Sequence, residues 1–138
     1  MEANELRIGN FLYGKEIERV KAIGIEGYVW FDEERNLSVE LCQPIPLTEE
    51  WLLKFGFKAY NKETIYALER YIDKYNNTCF RFWFQSDKLI FDYIQNEVHP
   101  TESFFDDKNI IRLDIQHVHQ LQNLYFALTG VELTFKSE

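Results

Sequence analysis

The chain has 138 residues, 46% of them hydrophobic and 17% aromatic, which is enough apolar material for a core at the commonest size of a single domain. Its 15 Lys and Arg against 23 Asp and Glu leave a formal charge of -8, which repels nucleic-acid phosphate and anionic membrane surfaces unless a local basic patch intervenes, and no such patch is seen. The longest apolar runs, such as "YVWF" and "CFRFWF", fall far short of the roughly 20 residues that cross a bilayer.

The opening "MEANELRIG" has neither a basic nor an apolar export segment, and the isolated Cys42 and Cys79 form no CxxC pair. The expectation is a cytoplasmic protein with two reduced thiols. Over residues 1–45, "LRIGNFLYG", "IERVKAIG", "GYVWF" and "LSVELC" are β-branched or aromatic runs parted by Gly or charged turns, which predicts a small β-meander. The acidic "DEERN" reads as a solvated turn between two of its strands.

Pro44 and Pro46 stop the sheet. Thr48 as N-cap, Glu49 and Glu50 in the first turn and Gly56 after the last turn predict a short helix over residues 49–55 that buries Trp51, Leu52 and Phe55. Adjacent glutamates diverge by about 100° on a helix, so capping explains them better than paired acid-base chemistry. "FGFKAYN" then reads as a strand, while residues 64–72 in "TIYALERYI" fit either strand or helix. The clearest element is a hairpin, "TCFRFWF", "QSDK" and "LIFDYI", with Phe80, Phe82 and Phe84 on one face and Cys79, Arg81 and Trp83 on the other. Both faces are largely apolar, which places the hairpin centrally in a mostly antiparallel sheet covered on both sides.

Residues 95–109 form a long polar loop with Glu97, Glu102, Asp106 and Asp107 around Phe104 and Phe105. Loops of this length are uncommon unless they are functional or mobile, and the segment reads either as a surface loop tucking one Phe into the core or as an acidic-aromatic contact loop. "NIIRLDI" reads as a strand, residues 115–129 as a long helix packed on the sheet, and "VELTF" as a final short strand. On that helix Val118, Leu121, Leu124, Tyr125 and Leu128 make one stripe, with His117 inward. His119, Gln122, Asn123 and Phe126 lie behind it, where Phe126 asks for a partner. His117 and His119 are too close in sequence to share a metal on a helix, since zinc helices use i, i+4 spacing, so no metal or cofactor is expected.

The whole is read as one α+β domain over residues 1–138, with a meander subregion at 1–45 and an α+β body at 46–138. No nucleophile elbow or phosphate loop is present. "LRIGNFLYG", "PIPLTEEWLLKFGF" and "VHQLQNLYFALTGVELTF" resemble a family of short uncharacterised proteins of Bacteroidetes, their phages and mobile elements. The resemblance implies a phage or mobile-element setting and supplies no catalytic residue. It favours a non-enzymatic binding protein that takes a host protein or sequesters a small ligand, with counter-defence as one role open to it and a homo-oligomer as one assembly. The candidate contact residues are His119, Gln122, Asn123, Phe126, Phe104, Phe105, Arg81 and Arg112. The alternative is a nucleotide-acting hydrolase or lyase using His117 or His119 with carboxylates of the 95–109 loop. A variant binds a nucleotide-like ligand through Arg81 or Arg112 and aromatic stacking.

Overall fold

A computed structural model of the chain describes residues 1–24, 26–59, 67–73, 78–85, 88–95 and 110–135. The fold is α+β, as its patterning predicts, and divides into two compact units: residues 1–48 with 116–134, and residues 49–115 with 135–138.

In the first unit, β1 (Phe11–Tyr13) pairs antiparallel with β2 (Ile17–Arg19), and β3 (Ala22–Ile23), β4 (Tyr28–Trp30) and β5 (Asn36–Ser38) make a second antiparallel sheet. The expected meander is therefore two small sheets. Each ladder runs one step past its strands, Val20 N–H donating to the Asn10 carbonyl at the end of β1–β2 and Lys21 N–H to the Trp30 carbonyl at the end of β3–β4, both at 2.8 Å, so the chain passes from one sheet to the other at Val20 and Lys21. Leu6, Leu12, Val20, Val29, Phe31, Val39 and Cys42 form their core. "DEERN" is the turn between β4 and β5. There Asp32 Oδ1 accepts the Glu34 and Arg35 amides at 2.8 and 2.7 Å, and the Arg35 guanidinium holds the Asp32 pKa down to about 2.

The long helix α2 (Val118–Thr129) belongs to this unit and packs on β1. It begins three residues later than the pattern suggests, because the chain before it is tied to residues 45–47. Val118 N–H donates to the Ile45 carbonyl, and Leu47 N–H to the Gln116 carbonyl, each at 2.9 Å. Gln120 Oε1 then accepts the Gln116 and His117 amides at 3.0 Å, which satisfies two donors that the helix start leaves open. The expected strand in "VELTF" does not form. Residues 131–135 lie outside any strand, and the last described strand precedes α2.

In the second unit, α1 (Glu49–Lys54) ends in a Schellman motif. Phe57 N–H donates to the Leu52 carbonyl and Gly56 N–H to the Leu53 carbonyl, both at 3.0 Å, with Gly56 at φ 88°, a conformation that costs an L side chain roughly 1–2 kcal/mol. Trp51, Leu52 and Phe55 are buried as expected, each worth about 1.5–3 kcal/mol. Phe135 stacks on Phe55 at 5.5 Å between centroids.

The sheet runs β10–β9–β8–β7–β6, all antiparallel, with β6 (Lys58–Ala59), β7 (Ala67–Asp73), β8 (Thr78–Gln85), β9 (Lys88–Ile94) and β10 (Ile110–Leu113). The hairpin β8–β9 is central, and residues 78–82 of β8 are buried on both faces. The ambiguous segment is strand from Ala67. One face is an aromatic ladder: Phe57 meets Phe82 at 5.6 Å, Phe82 meets Phe91 at 4.8 Å and Phe80 meets Phe91 at 5.1 Å. Each such pair contributes about 0.5–1.5 kcal/mol beyond its buried area.

Candidate functional site

The other face of that sheet carries a row of alternating charge. The register sets Lys58 beside Glu69, Glu69 beside Arg81, Arg81 beside Asp92 and Asp92 beside Arg112, so all five strands contribute one residue. Arg81 is buried and reaches Glu69 Oε2 through Nη2 at 2.7 Å and Nε at 3.1 Å. Asp92 is buried and accepts from Arg112 Nε at 2.8 Å, Arg112 Nη2 at 3.1 Å and Trp83 Nε1 at 2.9 Å. Charges taken out of water need this degree of pairing, because a buried ion without its partner costs several kcal/mol.

The two arginines proposed as anion ligands are therefore brought into one row, each bound to a carboxylate. Arg81 has its guanidinium committed inside the sheet. Arg112 keeps 65% of its side chain exposed while holding Asp92, and it sits on the edge strand between exposed Ile111 and Leu113. Among the described residues no strand lies beyond β10.

The helix face is arranged differently from its expected form. His119 and Gln122, expected on the outward side, are both buried, while Leu128 of the expected apolar stripe is exposed. The buried arc of α2 is rotated by about a quarter turn from the apolar stripe. The cause is the surface it meets. The N-terminal chain presents backbone groups to α2, and Gln122 satisfies them: its Nε2 donates to the Gly9 carbonyl at 3.0 Å and its Oε1 accepts the Phe11 amide at 2.9 Å. Asn123 accepts from Asn10 Nδ2 and donates to the Glu5 carbonyl, both at 2.8 Å.

Phe126 is 39% exposed, and its ring is roofed by the Arg7 guanidinium at 4.1 Å from the centroid. Arg7 in turn grips Glu132, with Nη2 to Oε2 at 2.8 Å and Nη1 to Oε2 at 3.1 Å. Gly9 has φ 101°, and a Cβ there would come within 3.0 Å of the Glu132 carboxylate. The partner that Phe126 asks for is inside the unit. Sequence reasoning missed Arg7 and Asn10, which lie far from the helix along the chain, and Glu132, which follows it by three residues.

The histidines are also corrected. His117, expected inward, is the half-buried N-cap residue of α2. His119 is only 3% exposed, and neither of its ring nitrogens has a hydrogen-bond partner. The two rings stack at 6.0 Å between centroids. Burial pushes the His119 pKa below its ordinary value, and His117 adds to the shift. Among the described residues no group of three or more His, Cys, Asp or Glu could hold a metal.

Phe104 and Phe105 lie outside the described residues. Cys42 and Cys79 are buried and in no disulfide, and no described helix is long and apolar enough to cross a membrane. Compared with protein-family models, with curated proteins and with solved structures, the chain matches none.

Proposed function

We propose that the chain is a non-enzymatic cytosolic binding protein of a phage or mobile-element setting, that it engages a host protein, and that the contact surface is the β10 edge. The observation that carries this reading is the pattern of β10 itself. Ile111 and Leu113 are exposed large apolar side chains on one face of an edge strand, with the exposed guanidinium of Arg112 between them on the other face. An edge strand offers a row of backbone donors and acceptors to an extended segment, and apolar side chains at alternate positions add area to that pairing.

The helix face of His119, Gln122, Asn123 and Phe126 is not the contact in this reading, since Gln122, Asn123 and Phe126 are all engaged within their own unit. The nucleotide alternative is disfavoured on the same kind of ground. A general base must reach its proton, and His119 is closed off from solvent. An anion would have to displace Glu69 from Arg81 or Asp92 from Arg112.

The reading is tested by affinity capture from a Bacteroidetes host lysate with the tagged chain and two variants. A host protein retained by the wild type should be lost with Leu113→Lys and kept with Leu41→Ser, which removes an exposed apolar side chain from the other unit. Retention that ignores Leu113→Lys, or no specific capture by the wild type, would defeat the proposal.

A further inference from the structure

We propose that residues 1–6 form a proton-operated strap, closed over His119 while its ring is neutral and lifted from α2 when the ring takes up a proton.

The strap is defined by how unevenly the N-terminal chain is fastened. From residue 7 onward its bonds to the rest of the unit are dense. Arg7 grips Glu132, Gly9 N–H donates to the Val20 carbonyl at 2.8 Å, and Gln122 and Asn123 hold residues 9–11. Before residue 7, the short 3-10 turn Ala3–Glu5 is closed on itself. The Glu5 and Leu6 amides donate to the Glu2 and Ala3 carbonyls, and the Glu5 carboxylate accepts the Glu2 amide. Among the described residues, a single hydrogen bond ties residues 1–6 to α2, from Asn123 Nδ2 to the Glu5 carbonyl. Their apolar hold is the buried Leu6, with Met1 and Ala3 only half-buried against the same core. A segment with so few ties opens at lower cost than the unit that carries it.

His119 lies on the side of α2 that this turn covers. It precedes Asn123 by one helical turn and so shares the face that Asn123 directs at Glu5. From outside the helix, the charges that act on it are the Glu5 carboxylate and the Met1 amino group. Residues 45–47, which pair with the start of α2, and β1, which packs on it, contain no Asp, Glu, Lys, Arg or His. Within the helix its titratable neighbour is His117, whose ring stacks on it. Glu5 favours a proton on the His119 ring, whereas His117 and the Met1 amino group oppose it. The first turn of α2 opposes it too, because the open N–H groups of a helix start carry partial positive charge.

Among the described residues neither ring nitrogen has a partner, and only 3% of the residue reaches solvent. A neutral ring forgoes its hydrogen bonds to water in such a place, and a charged ring would forgo far more. Lifting residues 1–6 gives the ring that water while the bonds of residues 7–11 stay in place. Between the depressed value of the closed form and the ordinary value of about 6.5, each unit of falling pH then raises the ratio of lifted to closed chains by up to about tenfold. The lifted form bares His119 and the Asn123 amide, a polar surface that the closed form hides.

The test follows the full chain by NMR from about pH 7.5 to about pH 5, either side of the ordinary histidine value. In the wild type the backbone heteronuclear NOE of residues 2–6 should fall in step with titration of the His119 ring, while that of residues 7–11 stays high. Leu6→Ala weakens the closed form and should move both changes to higher pH, toward the ordinary value. His119→Phe should keep residues 2–6 ordered across the range. Glu5→Gln, at an exposed position, should retain the response, which separates the ring from the carboxylate of the turn.

Residues 2–6 that stay ordered throughout the range, or whose order ignores the His119 titration, overturn the strap. Loss of order at Phe11 and Val20 together with residues 2–6 overturns it as well, since the unit then opens as a whole. A response that survives in His119→Phe or vanishes in Glu5→Gln belongs to another group and has the same consequence. Should His119→Phe fail to fold, the wild-type titration, Leu6→Ala and Glu5→Gln decide between these outcomes.

Discussion

His119 sets an acid limit on the first unit. Its ring is buried, neither nitrogen has a partner, and its folded pKa lies below the ordinary 6.5. Above pH 6.5 the ring is neutral in both folded and unfolded chains, and no penalty arises. Below it the unfolded chain takes up a proton that the folded chain resists, so stability falls with pH down to the depressed folded value. Urea midpoints measured above and below pH 6.5 should diverge for the wild type, and the gap should narrow in His119→Phe. An equal gap in both proteins would mean that other groups carry the acid sensitivity. Gln122→Leu should cost about 1–3 kcal/mol in the same assay, because it leaves the Gly9 carbonyl and the Phe11 amide without their partner. Arg7→Ala should cost about 1–2 kcal/mol through its carboxylate and ring contacts. These side chains were the least legible in the sequence. Amphipathic periodicity assumes that a helix meets an apolar surface, and α2 instead meets backbone, where an amide side chain is the better match.

At the scale of elements the sequence was far more readable, because the signals are local. The proline stop, the acidic first turn and Gly56 were enough to place α1. The turn "QSDK" fixed the β8–β9 hairpin, and with it the opposition of Arg81 and Asp92. A charge at an inward position of an otherwise apolar strand was therefore a visible sign of the row across the sheet. The segment from Ala67 was ambiguous because Ala, Leu, Glu and Arg all favour helix. Pairing to β8 along its length overrides that preference. The row itself predicts a non-additive result. Arg81→Met leaves Glu69 and Asp92 as neighbouring carboxylates in a poorly hydrated site and should destabilise the protein by about 3–5 kcal/mol in chemical denaturation. The double variant Glu69→Leu/Arg81→Met should recover much of that loss. If the two changes simply add, Arg81 contributes by packing and the ionic row is incidental.

Over the whole molecule, the unit built from residues 1–48 and 116–134 is discontinuous in sequence, and this is the level that local patterns could not reach. Chain order suggests that α2 joins the sheet it follows, yet its hydrogen-bond partners are Glu5, Gly9, Asn10 and Phe11, 111 to 118 residues upstream. Contacts so distant are fixed by complementarity between surfaces that no short window contains. The consequence is that the N-terminal strands depend on a helix made last. A chain ending at residue 115 lacks the Gln122 amide that holds the Gly9 carbonyl and the Phe11 amide, and lacks Phe126 and Glu132 as partners for Arg7. In hydrogen exchange the Phe11, Gly9 and Val20 amides, protected in the full chain by Gln122 Oε1, the Val20 carbonyl and the Asn10 carbonyl respectively, should exchange rapidly in the truncated chain. A synthetic peptide spanning residues 116–134 should restore their protection, and the same peptide carrying Gln122→Leu should restore it poorly. Full protection of Phe11 without the helix would show instead that the small sheets stand by themselves and that α2 only covers them.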